Sequence, residues 1–168
     1  MSETLPNRKP TRLKDYNYSR PGAYFITICT KDKQKLLSEI VGGGVLDAPQ
    51  NHYTAFGEIA NKYICQMNRF YQNISVEHYV IMPNHIHLLL QITDDDYGTS
   101  RTPSPTHSLI SRFVGTFKRF CNEEYDKNIW QRSFHDHIIR DERDYRKISE
   151  YIQNNPAKWE MDCFYQKH

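Results

Sequence analysis

Two histidines separated by one residue, His85 and His87, stand in the stretch MPNHIHLLL, between a Pro-Asn pair and a run of leucines. Alternate side chains of a strand share a face. Both imidazoles therefore project one way with Leu89 and Gln91, while Ile86, Leu88 and Leu90 project the other way. Two neutral imidazoles so placed can converge on one divalent metal ion. A polar strand face wetted by solvent has the same pattern, and His135 and His137 in FHDHIIR repeat it. Near the C-terminus, Tyr151 and Asn155 lie one helical turn apart in SEYIQNNP. A phenol there could reach the histidines' face, and an amide oxygen could add a ligand to a metal held on it. A tyrosine snorkelling at the edge of a core fits the spacing as well.

What must position these groups can be read from periodicity. GAYFITICT (22–30), rich in aromatic and β-branched residues, predicts a strand. Two short apolar runs around Gly42, Gly43 and Gly44 predict a hairpin insertion. From Thr54, a candidate N-cap, Phe56, Ile59, Ala60, Tyr63, Ile64, Met67, Phe70 and Tyr71 recur at helical spacing and predict a helix with one buried stripe. ISVEHYVIM and HIHLLLQI predict two strands joined through Pro83-Asn84, with His78 sharing a face with Val76 and Val80. A polar stretch with two prolines (93–107) predicts a mobile surface loop. A second amphipathic helix follows from Leu109 to Cys121, then a strand in IWQRSFHDHIIR, then a helix ending near Pro156. On that last helix Tyr145, Ile148 and Ile152 form the buried stripe, and Tyr151 sits about 90° from its centre.

The order strand, helix, strand, strand, helix, strand, helix predicts an α+β fold. It is a ferredoxin-like, four-stranded antiparallel sheet with two helices on one face. The histidines then lie on the opposite face, under the C-terminal helix that carries Tyr151. All 168 residues are expected to form one domain, with a basic N-terminal segment over 1–20.

Net charge is only +2, so the total points to no class of partner. The 12 tyrosines and 8 phenylalanines suit a large core or surfaces that stack on bases. Four dispersed cysteines without a CxxC pair, and no apolar leader, predict a cytoplasmic protein with reduced thiols. No run approaches the ~18 apolar residues that a membrane span needs.

The combination YVIMPNHIHLLL, SRFVGTFKRF and WQRSFHDHIIRDERDYRKISEYIQNNPAKW, in that order and spacing, resembles the REP-associated tyrosine transposases. These belong to the single-tyrosine HUH transposases of bacterial insertion sequences. The resemblance runs from about Tyr16 to Trp159, and RLKDYNYSRPGAYFITICT looks like the family's opening. It implies that His85 and His87 are metal ligands and that Tyr151 is the nucleophile. Related transposases have a glutamine ligand where this chain has the shorter Asn155. The implied cofactor is Mg²⁺ or Mn²⁺. The implied reaction is cleavage and joining of single-stranded DNA at hairpin-flanked sites through a 5′-phosphotyrosine.

Arg112, Lys118, Arg119, Arg132 and Arg140 are the candidate DNA contacts, although a solvated charged face would carry the same residues. Two other readings stay open, a catalytically inactive hairpin-DNA-binding protein of the same fold and a metal-dependent DNA hydrolase. Monomer and homodimer are both compatible with the chain.

Overall fold

The computed structural model describes residues 17–42, 48–93 and 108–165. The expected basic segment up to position 16, the polar loop from 94 to 107, and Gly43 and Gly44 lie outside the described residues. Among the described residues, six strands and three α-helices follow one another: β1 (Gly22–Cys29), β2 (Ser38–Val41), β3 (Gln50–Tyr53), α1 (Ala55–Phe70), β4 (Ile74–Met82), β5 (His85–Ile92), α2 (Leu109–Tyr125), β6 (His135–Ile139) and α3 (Glu142–Asn154). A 3₁₀ turn over Pro156–Met161 continues from α3.

The main sheet has the order β4-β5-β1-β6 with every neighbour antiparallel, which is the ferredoxin-like arrangement. The hairpin β2-β3 forms a separate two-stranded sheet. Alternation divides β5 as its sequence dictates. Ile86, Leu88 and Leu90 are fully buried in the main core, beside Ile64 and Met67 of α1 and Phe113, Val114 and Phe117 of α2. Each fully buried aliphatic or aromatic side chain of that set contributes roughly 1.5–3 kcal/mol of burial. Leu89, on the other face, joins Val80, Met82, Ile152 and Trp159 in a smaller core, against which Tyr145 and Ile148 of α3 pack.

α1 begins at the expected cap, Thr54, and α2 and α3 are also capped by side chains. The Thr54 side chain accepts from Gly57 N, Ser108 from Ser111 N and Asp141 from Asp144 N. Gly57 has a further reason to be glycine, because a Cβ there would strike the Leu37 carbonyl.

Three local expectations need correction. Phe70, in the last turn of α1, is 56% exposed and rests on the Phe120 ring instead of entering the core. The strand expected across 129–140 pairs regularly only over His135–Ile139, with Trp130 making a single bridge to Thr30. The intervening carbonyls of Gln131 and Ser133 are taken by the Lys118 ammonium instead of by a strand partner. Finally, the register of β4 shifts between Val76 and His78. The extra residue puts Val76 in the main core and Val80 in the smaller one, so the two do not share a face.

Candidate active site

His85 and His87 are held from three directions. β5 lies between β4 and β1, with His87 opposite Val80 on one side and Thr27 on the other. Both histidines are buried, at 0% and 1% exposure. Thr27 Oγ1 lies 2.8 Å from His87 Nδ1. The β4–β5 turn supplies Asn84, whose Oδ1 lies 2.8 Å from His85 Nδ1. Asn84 Nδ2 donates to the carbonyls of Phe164 and Lys33, at 2.9 and 3.3 Å. Since Asn84 therefore presents its oxygen to the ring, His85 carries its proton on Nδ1 and its lone pair on Nε2. That lone pair faces His87 Nε2 at 3.0 Å.

α3 lays its apolar stripe on the same sheet face, and Tyr151 emerges from the helix flank beside the histidines. Its hydroxyl lies 3.3 Å from His87 Nε2 and donates to Asp162 Oδ2 at 2.8 Å. The phenol ring meets Phe25 edge-on, with centroids 6.1 Å apart, and remains 39% exposed. Asn155 caps α3 and is 2% exposed. Its Nδ2 donates to Asp162 Oδ2 at 3.0 Å, while its Oδ1 is buried without a hydrogen-bond partner.

The sequence reading missed Asp162. It follows the 3₁₀ turn, which folds the chain back along α3, and its backbone N–H bonds the Trp159 carbonyl at 3.0 Å. The one signal available was an acid a few residues beyond the helix stop at Pro156. Among the described residues, His85, His87 and Asp162 form the one cluster whose ligand atoms all lie within 4.8 Å of one another. Phe164 covers the pair, its ring centroid 4.6 Å from that of His85 and 6.0 Å from that of His87.

Electrostatics follow from burial. Desolvation pushes His85 down to about 4, an effect partly opposed by Asp162, and takes His87 well below the ordinary histidine value. Both imidazoles are therefore neutral around pH 7, the form that ligates metals. Burial, and then the hydrogen bond to the Asp162 carboxylate, holds the Tyr151 phenol above the usual tyrosine range.

The candidate DNA contacts divide. Arg112, Arg132 and Arg140 are exposed. Arg119 is exposed too, near Glu123 at 3.7 Å and over the Phe120 ring. Lys118 instead donates to the carbonyls of Gln131 and Ser133 at 2.7 and 2.9 Å, tying α2 to the segment before β6. The second histidine pair lies on the edge strand of the same sheet face, with His135 opposite Thr27 and His137 opposite Phe25. His137 pairs with Asp144 at 2.8 Å.

No family model matches the chain. An uncharacterized protein of Haemophilus influenzae is 34% identical over 96% of this chain and 94% of its own length. A second H. influenzae protein, provisionally named a REP-associated tyrosine transposase, is 29% identical over 84% of this chain and 74% of its own. The REP-associated tyrosine transposase of Escherichia coli K12 is 34% identical over 48% of this chain and 42% of its own. A solved structure of a REP-associated tyrosine transposase bound to a REP hairpin shares the fold. Its TM-score is 0.61 at 22% identity, over 88% of this chain and 73% of that one. No helix among the described residues is long and apolar enough to cross a membrane.

Proposed function

From a chain that belongs to the REP-associated tyrosine transposases, we propose a metal-dependent enzyme that cleaves and rejoins single-stranded DNA beside hairpins, with Tyr151 as nucleophile. The observation that carries this reading is the Tyr151 hydroxyl, 3.3 Å from an imidazole nitrogen that itself lies 3.0 Å from a second one. A phenol beside two converging neutral imidazoles is an arrangement for attacking a phosphodiester whose charge a cation offsets.

The residues fit a divalent ion. His85 Nε2 and His87 Nε2 are 3.0 Å apart, close enough for both to ligate one ion. Asn155 Oδ1, a buried acceptor without a donor, is the kind of atom that a cation satisfies. His85 and His87 would hold Mg²⁺ or Mn²⁺, with Asn155 as a further oxygen ligand. Such an ion supplies charge neutralisation at the scissile phosphate.

The chain's own groups do the rest. Thr27 and Asn84 fix both rings. Phe25 and Asp162 aim the phenol. The Tyr151 oxygen bonds to phosphorus as the 3′-oxygen leaves, giving a 5′-phosphotyrosine and, after protonation by water, a free 3′-hydroxyl. The phenol proton leaves from an oxygen that points at Asp162 Oδ2. Because the phosphotyrosine retains a phosphodiester, the 3′-hydroxyl of another strand can displace Tyr151 and join to it without ATP.

The test is covalent capture. Labelled single-stranded oligonucleotides carrying candidate hairpins are incubated with the protein and Mn²⁺, or with EDTA, and resolved on a denaturing gel. An adduct that requires both Mn²⁺ and Tyr151 is expected, and Tyr151→Phe should lower its formation by at least ~10⁴-fold. DNA bound without an adduct would favour the inactive hairpin-binding protein. Cleavage that survives Tyr151→Phe would favour the hydrolase.

A further inference from the structure

Asp162 is better built than a chance neighbour of Tyr151. The chain that delivers it is anchored on both sides. Trp159, 8% exposed, sits in the smaller core with its ring 5.9 Å from that of His85, and Tyr165 packs on Trp159 at 5.2 Å. Phe164 N donates to Asp162 Oδ1 at 2.7 Å, and Asn155 Nδ2 donates to Oδ2 at 3.0 Å. A backbone N–H and a buried amide thus orient the carboxylate, as hydrogen-bonded outer groups orient a ligating carboxylate in metal sites.

The charge balance points the same way. Two neutral imidazoles leave the charge of a dication uncompensated, and a buried uncompensated charge is costly. Asp162 is the carboxylate whose oxygen lies within 4.8 Å of the imidazole nitrogens. Building on the metal reading above, we propose that Asp162 is the anionic protein ligand of that metal, joining the two histidines and the Asn155 oxygen. Asn155 holds it in place. The set is discontinuous, with the histidines on β5 and the acid beyond α3. A carboxylate with two imidazoles is a donor set suited to transition metals, whereas Mg²⁺ favours oxygen.

The experiment is a calorimetric titration of the full-length protein with Mn²⁺, without DNA, for the wild type and for His87→Ala, Asp162→Asn, Asp162→Glu and Tyr151→Phe. Wild type should bind one ion and His87→Ala should lose the site. Asp162→Asn should bind ~100-fold more weakly, since even outer-shell changes cost ~10–100-fold. Asp162→Glu should recover most of that loss, and Tyr151→Phe, which removes only the hydroxyl that donates to the carboxylate, should bind like wild type.

Wild-type affinity in Asp162→Asn, together with loss in His87→Ala, would overturn this inference and leave the histidine site standing. Wild-type affinity in His87→Ala, or no site in the wild type, would overturn both. A reading that needs no variant guards against misfolding. The Asp162 carboxyl ¹³C resonance of the wild-type chain should shift on stoichiometric Zn²⁺, and a resonance that stays put would also overturn the assignment.

Discussion

The hydroxyl of Tyr151 lies 3.3 Å from Nε2 of His87, a residue 64 positions earlier in the chain. Two elements with no sequence proximity make this contact. β5 is locked in register between β4 and β1, and α3 lays its apolar stripe on the same sheet face. Tyr151 approaches because it stands on the flank of that stripe and not at its centre.

Thr27→Val removes the hydroxyl beside His87 Nδ1 while keeping a β-branched strand residue. The ring loses its orienting bond, and a buried nitrogen loses its partner. We expect metal affinity to fall ~10–100-fold and stability to fall by about 1–3 kcal/mol. Metal titration and urea unfolding of the same variant read the two effects.

Acid should destabilise the fold through the histidine pair. An unfolded imidazole titrates near 6.5, whereas burial holds His85 down to about 4 and His87 well below its ordinary value. Below pH 6.5 the unfolded chain binds more protons than the folded one, so stability falls as pH falls. For His85 the loss begins near pH 6.5 and levels off near pH 4. At pH 5 the cost from His85 is roughly 2 kcal/mol, and His87 adds to it in the same direction. Urea midpoints between pH 7.5 and 5 should show this slope, and His87→Leu should make it shallower.

Arginines and Lys118 should behave differently. Arg132→Ala removes an exposed cation, so DNA binding should weaken for all sequences alike, with a salt slope reduced by about 1. Lys118→Ala removes the bonds to the Gln131 and Ser133 carbonyls. It should therefore lower the melting temperature, corresponding to about 1–3 kcal/mol. A Lys118→Ala protein as stable as wild type would show that those bonds contribute nothing.

Gly57→Ala tests the seating of α1. The new methyl would meet the Leu37 carbonyl, which also accepts the Thr54 N–H that leads into the helix. Relieving the clash must move the helix or the 37–38 backbone, at a cost of roughly 1–3 kcal/mol or more. An unchanged melting temperature would show that this approach is looser than the geometry indicates.

Much of this protein was legible because its signals are local. The period of two in HIHLLLQI puts both imidazoles on the face opposite Ile86, Leu88 and Leu90, whatever the neighbours are. The period near 3.6 in the last helix puts Tyr151 on the flank of its apolar stripe, and Thr54 and Pro156 mark helix boundaries by their own backbone chemistry. Other features depend on contacts between distant segments. The shift at Val76/His78 exists only relative to β5, and Lys118 reads as a surface cation until α2 is packed beside Gln131 and Ser133. The arrival of Asp162 beside Tyr151 and Asn155 depends on a reversal after Pro156 whose non-helical residue, Lys158 at φ −114° and ψ 19°, carries no local mark. By itself the sequence determined which faces its strands and helices present, since side-chain direction follows from backbone periodicity. Only the tertiary structure decided which distant atoms meet on those faces, because that is set by strand register, helix seating and the path of the chain between them.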